Sequence, residues 1–180
     1  MNIILIGYRG TGKSVVGKIL AERLGMECVS MDEKIVEKAG MPISDIVANY
    51  GWAGFRDMES EVAKKLADCK NLIIDTGGGV IERSENIENL KKSGLVVWLK
   101  ASVDVIVSRI KGDFRRPSLT GTKSFTEEVA EVLERRKPKY AAFAGHEIDT
   151  DFLTPEQVAD KIIQIKKNAD SLQSGEINYK

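Results

Sequence analysis

Histidine is almost absent from this chain. His146 is the only one in 180 residues, so a Ser-His-Asp triad, a histidine-rich metal site and most histidine acid–base schemes lack the residues to build them. His146 opens a weak apolar run around Ile148 and reads as a packing or surface residue. Cysteine is scarce too: Cys28 and Cys69 lie far apart and in no zinc-ligand or C-x-x-C spacing. That excludes a disulfide framework and a structural zinc site, and a cytoplasmic location is expected. Net charge is missing, because 27 Lys+Arg balance 27 Asp+Glu. Nucleic acid is therefore not expected as a partner, and any anion binding must be local. No apolar stretch approaches membrane-spanning length, and the run at residues 3–6 lacks the basic lead-in and cleavage pattern of a signal peptide, so it reads as a strand and no membrane partner is expected. Solenoid repeats and Pro/Ser/Gly linkers are absent as well, which leaves one domain over residues 1–180, expected to be a monomer.

What is present suits a folded α/β protein. Hydrophobic residues make up 42% of the chain, enough for one sizeable core. Short, nearly continuous apolar runs at residues 3–6, 72–74 and 95–99 alternate with helical patterns, as strands of a parallel sheet covered on both faces do. Val16, Ile19, Leu20 and Leu24 follow a helical period that Gly25 stops. Thr154-Pro155-Glu156-Gln157 is a capping box with proline at the first helical position, ahead of Val158, Ile162 and Ile165 on one face. Ser124-Phe125-Thr126-Glu127 offers another, opening a helix through Val129 and Leu133 toward Pro138. Residues 111–123 read as a mobile loop, and from Ala169 the apolar period fades into an expected frayed tail. The expectation is a three-layer α/β/α fold on a central parallel sheet of about five strands.

The strongest motif is Gly7-Tyr8-Arg9-Gly10-Thr11-Gly12-Lys13-Ser14, a full G-x-x-x-x-G-K-S between a predicted strand and a predicted helix. Glycines let the backbone wrap phosphate oxygens, and the helix start presents unpaired N–H groups and the positive end of its dipole. Gly10, Thr11, Gly12, Lys13, Ser14 and Val15 are thus the candidate ATP-binding residues, with Lys13 reaching the β and γ phosphates and the Ser14 hydroxyl available to Mg2+. The loop alone does not say what becomes of the γ-phosphate, since ATPases, GTPases and small-molecule kinases share it.

Further along, the chain carries Asp32 in Ser30-Met31-Asp32-Glu33, Phe55-Arg56 with Glu59, Thr76-Gly77-Gly78-Gly79, Arg116-Pro117, and Arg136-Lys137-Pro138-Lys139-Tyr140. With the phosphate loop, in this order and spacing, these resemble the shikimate kinase family over essentially the whole length. The resemblance implies a P-loop kinase with a helical substrate-binding subdomain over about residues 32–60 and a lid over about 111–124. It also implies ATP, Mg2+ and shikimate as ligands and transfer to the 3-hydroxyl of shikimate. Arg56 and Arg136 would bind the shikimate carboxylate, for which the planar guanidinium fork is suited. Glu59, three residues past Arg56 on a predicted helix, would orient it. Asp32 would contact the acceptor hydroxyl as base or as orienting group, and a plain helix N-cap is its other reading. Gly77, Gly78 and Gly79, at a strand's carboxyl end, would let substrate lie against bare backbone. Arg116 would reach the transferring phosphoryl group as the lid closes, and Arg109 would stack on adenine.

One position departs from the family pattern. Many members have aspartate where this chain has Ser30, a weaker partner for magnesium. Asp75, ending the strand before the glycines, is expected to compensate at the metal, with capping of the glycine turn as its other reading. Trp98 is expected in the core, and Trp52 near Arg56 without touching substrate. Two rivals stay open from the residues alone: another small-molecule kinase acting on gluconate or a nucleoside monophosphate, and an ATP-binding protein that transfers nothing.

Overall fold

The computed structural model describes residues 1–110 and 125–174. The expected lid, with Arg116, the Ser124 cap and the end of the tail lie outside the described residues. The elements run β1 (Asn2–Ile6), α1 (Lys13–Leu24), β2 (Glu27–Ser30), α2 (Met31–Ala39), α3 (Ile43–Ala67) and β3 (Leu72–Asp75). A 3₁₀ turn (Val80–Glu82), α4 (Ser84–Ser93), β4 (Gly94–Lys100), α5 (Val103–Ile110), α6 (Phe125–Phe143), β5 (His146–Asp149) and α7 (Pro155–Ser174) complete it. All pairings are parallel, in the order β2-β3-β1-β4-β5.

The expected layering follows from strand geometry. Successive side chains of β1 point to opposite faces. Ile3 and Leu5 therefore join Val16 and Leu20 of α1 and Val158 and Ile162 of α7 on one side. Ile4 and Ile6 join Ile35 of α2, Phe55 of α3 and Leu90 of α4 on the other. Each of these wholly buried aliphatic side chains is worth about 1.5–3 kcal/mol of transfer free energy. Trp98 lies in the second of these cores, as expected, stacked on Tyr140 with ring centroids 5.5 Å apart.

The order also fixes where ligands bind. The chain leaves β1 toward β2 on one side, and β3 later crosses β1 to reach β4 on the other. The crevice at such a switch point, beyond the strands' carboxyl ends, is where open α/β sheets bind ligands. The segments after β1 and β3 both emerge there.

Three local readings need correction. Ser30, not Asp32, caps α2, its hydroxyl accepting from the Glu33 N–H at 3.3 Å, because the helix starts two residues earlier than the acidic pair suggested. Pro138 does not end α6, which continues to Phe143; packing of Tyr140 and Val132 holds the helix across the missing N–H. The helix at the carboxyl end persists beyond Ala169 to Ser174, with Lys166 paired to Asp170 one turn on. The Thr154 box itself forms as read, with Gln157 N–H donating to Thr154 Oγ1 at 3.3 Å and Thr154 N–H to Gln157 Oε1 at 2.9 Å. In α3, Gly51 takes φ 68° and ψ 176°, which breaks the helix and sets the half bearing Arg56 on a new direction.

Candidate active site

The nucleotide end is built from one stretch of chain. Gly12 sits at the start of α1 with φ 94°, a left-handed conformation that lets the loop turn into the helix without a Cβ clash. The Thr11 hydroxyl donates to Tyr8 O at 2.8 Å and closes the loop. Lys13, 7% exposed, donates from Nζ to Gly7 O at 2.9 Å and Tyr8 O at 3.0 Å, so its ammonium lies within the curve of the loop. Gly10, Thr11, Gly12, Lys13, Ser14 and the exposed Val15 all line an open cleft of about 1460 Å³. Asp32, Asp75, Gly78 and Arg109 line it too. Arg109, in the last turn of α5, is tied across its mouth by hydrogen bonds to Gly10 O at 3.2 Å, Thr150 Oγ1 at 3.1 Å and Thr150 O at 2.9 Å.

Ser14 and Asp75, 61 residues apart, meet because β1 and β3 are neighbours with Leu5 opposite Asp75. The Ser14 hydroxyl donates to Asp75 Oδ2 at 2.5 Å. The Asp75 side chain therefore reaches across to the phosphate loop. A neutral hydroxyl and a carboxylate at the mouth of a phosphate loop are hard oxygens that suit Mg2+, which binds through one or two protein oxygens plus phosphates. No cluster of three metal-binding acids, cysteines or histidines exists among the described residues, and such a site needs none.

The other end of the site draws on four separate elements. Arg56 donates from Nη1 to Glu59 Oε2 at 2.6 Å, the orienting pair expected from their spacing on α3. Its guanidinium carbon lies 5.1 Å from the Phe55 ring centroid and 5.7 Å from that of Trp52. Glu59 is 1% exposed, and its Oε1 has no hydrogen-bond partner among the described residues. Burial pushes its carboxyl above the usual range while Arg56 pulls the other way. Across from Arg56 stands Arg136, 4% exposed, its guanidinium carbon 5.9 Å from the centre of the Tyr8 ring.

Both arginines, with Glu59, Gly78, Gly79 and Arg9, line a second cavity of about 30 Å³. It is an annex of the main cleft, sharing Arg9, Ile43 and Gly78 with it. The glycines between explain themselves by space: a Cβ on Gly79 would collide with the Arg56 guanidinium, and one on Gly77 would come 2.9 Å from Asp32 Oδ1 and 3.2 Å from Glu59 Oε1. Gly77 itself lines neither cavity; its lack of a side chain is what lets Asp32 and Glu59 approach. Gly77 and Gly79 thus admit three side chains, while Gly78 lies against the phosphate-loop backbone, where a Cβ would come 3.3 Å from Arg9 N.

Three participants escaped sequence reading. Glu82 holds Arg136 through Nε at 2.7 Å, though a lone acid after a glycine turn carries no periodic signal. Tyr140, whose phenol burial pushes far up, donates to Gly78 O at 2.5 Å and pins the glycine turn to α6. Its helical spacing from Arg136 was visible, but its target was not. Arg9, a variable position of the phosphate-loop motif, faces both cavities and lies 5.5 Å over the Phe125 ring.

A family model described as shikimate kinase matches residues 9–167. A shikimate kinase of Thermodesulfovibrio yellowstonii is 45% identical over 91% of this chain and 93% of its own. One from Persephonella marina is 40% identical over 90% of this chain and 96% of its own. Among solved structures, a shikimate kinase from Acinetobacter baumannii in complex with shikimate superposes with a TM-score of 0.88 at 34% identity, covering 98% of this chain and 95% of its own. A gluconokinase from Sinorhizobium meliloti, at 20% identity and a TM-score of 0.60 over 97% of each chain, shares the fold alone.

Proposed function

The chain belongs to the shikimate kinase family, and from that premise we propose how its own residues transfer the γ-phosphoryl group of ATP to the 3-hydroxyl of shikimate, giving shikimate 3-phosphate and ADP. The observation that carries the reading is the small annex in which Arg56 and Arg136 stand together, one glycine turn away from the phosphate loop. A carboxylate gripped there leaves the ring hydroxyls facing the cleft that holds Asp32 and Lys13.

In this scheme the loop N–H groups and the start of α1 bind the phosphates, and Lys13 turns from the Gly7 and Tyr8 carbonyls to the β and γ oxygens. Asp32 accepts the hydroxyl proton or aligns the hydroxyl. The hydroxyl oxygen forms the new bond to phosphorus as the bond to the β–γ bridging oxygen breaks. Arg109 stacks on adenine, and Arg116, outside the described residues, is assigned to the transferring group. Ser14 and Asp75 are the residues that would hold Mg2+, which when bound neutralises charge on the phosphate oxygens. Arg56, Gly77, Gly78, Gly79 and Arg136 fix the acceptor. No helix among the described residues is long and apolar enough to cross a membrane; a cytoplasmic monomer acting on small molecules completes the reading.

ADP release from ATP and Mg2+, compared with shikimate, gluconate, AMP and no acceptor, tests the proposal. Stimulation by shikimate alone is expected, and equal stimulation by gluconate or AMP, or none by any acceptor, overturns it. Asp75→Asn is expected to raise the Mg2+ concentration for half-maximal turnover by about tenfold, and an unchanged value removes Asp75 from the metal site.

A further inference from the structure

The glycine turn runs directly into a segment that grips both arginine-bearing helices. Val80 N–H donates to Gly77 O at 3.1 Å and Glu82 N–H to Gly79 O at 3.0 Å, so the 3₁₀ turn is anchored on the glycines themselves. Its last residue, Glu82, faces α6. Oε1 accepts from Arg136 Nε at 2.7 Å and from Arg135 Nη2 at 3.2 Å, and Oε2 accepts from Lys139 Nζ at 2.7 Å. The next residue, Arg83, faces α3 and donates to Asp57 Oδ1 at 2.6 Å and Ser60 Oγ at 3.2 Å. Gly79, against which the Arg56 guanidinium packs, is three residues from Glu82. One rigid turn therefore meets Arg56 at its start and Arg136 at its end.

The atom that Glu82 takes matters. A guanidinium binds a carboxylate bidentately either through its Nη1/Nη2 end or through an Nε/Nη edge. With Nε engaged by Glu82 at 2.7 Å, the edge is occupied, and neither Nη of Arg136 makes a hydrogen bond to a described residue. The Nη1/Nη2 end is what remains for a ligand in the annex that Arg136 lines. We infer that Glu82 is a positioning residue for acceptor binding, holding the Nε edge of Arg136 so that its Nη1/Nη2 end is presented to the substrate carboxylate. The inference rests on the shikimate reading above.

A competing effect has the opposite sign. A carboxylate behind a cationic pocket lowers its potential for an anion, so if charge were all that mattered, removing Glu82 would tighten shikimate binding. Lys139 and Arg135 already share that charge, and Arg side chains are long and have many rotamers. Loss of alignment therefore outweighs the gain in potential.

Glu82→Gln keeps the shape and removes the charge. It is expected to raise the KM for shikimate about tenfold while kcat and the KM for ATP stay within about twofold. In an Arg136→Lys background, where there is no Nε to hold, the same substitution is expected to change the shikimate KM by less than about twofold. Lys139→Ala and Arg135→Ala, which loosen the other bonds to Glu82 but spare the Arg136 pair, are expected to leave that KM near wild type. An unchanged or lower KM in Glu82→Gln overturns the inference, as does an equal effect in both backgrounds or an equal rise in Lys139→Ala. Wild-type protein without shikimate-dependent ADP release overturns the shikimate reading and this inference together. Normal wild-type turnover with an unaltered Glu82→Gln overturns this inference alone.

Discussion

Residues 7–14 supply the phosphate-binding half of the cleft from one unbroken stretch, largely with backbone N–H groups and one lysine. The half proposed for the acceptor takes Asp32 from α2, Arg56 and Glu59 from α3, three glycines from the turn after β3, and Arg136 and Tyr140 from α6. Phosphate is common to every nucleoside triphosphate, so a loop that any P-loop protein can reuse suffices for it. A ring with a carboxylate and several hydroxyls needs long side chains from different elements, each held in one rotamer. Arg side chains carry about 2 kcal/mol of rotamer entropy. The carboxylates behind them offset that cost before substrate arrives. Glu59 does so from full burial with one oxygen unpartnered, and Glu82 from among several cations.

Because the two halves are built so differently, mutations should separate them. Lys13→Met removes the charge meant for the transferring phosphate and is expected to lower kcat on the order of 10²–10³-fold, more than any acceptor-side change. A smaller loss than that from Arg136→Lys would reverse the ranking. Arg136→Lys keeps the charge but loses the fork, and should raise the shikimate KM on the order of tenfold with ATP affinity nearly intact. Isothermal titration with each ligand checks this, and equal weakening of both erases the division between the halves. Gly79→Ala is a finer probe, since its Cβ would meet only the far end of a flexible arginine. Melting temperature should hardly move while the shikimate KM rises by roughly three- to tenfold; a large fall in stability with no change in KM would make the glycine structural.

The smallest effect expected is one of pH. In the folded protein, burial pushes the Glu82 carboxyl up, but hydrogen bonds from Lys139 and Arg136 overcome it and hold the group down to about 2, against 4.5 for a free side chain. A depressed carboxylate stabilises the fold above its unfolded pKa, and that contribution is lost as pH falls from about 4.5 toward about 2. The difference in melting temperature between wild type and Glu82→Gln should therefore narrow across that window and be constant above it. A difference that stays level at every pH would mean that the ion pairs do not hold in solution.

The phosphate loop, the capping box at Thr154, the two-faced strands and the Arg56–Glu59 pair were all legible, because each is set by neighbours within about one helical turn or by a strict strand period. The readings that needed correction also came from local signals, an acid beside a helix start, a proline in a helix and an apolar period that fades from Ala169. The meeting of Ser14 with Asp75 across 61 residues, of Arg136 with Glu82 across 54 and of Tyr140 with Gly78 across 62 has no sequence period. Those pairings arise only when β3 inserts between β1 and β2, and α6 packs over the turn that follows β3. The amino-acid order by itself determined what chemistry each segment can offer, since that depends on residue type and local spacing. Which groups face one another, and which edge of an arginine is left for substrate, was decided only when burial of both sheet faces brought distant segments together.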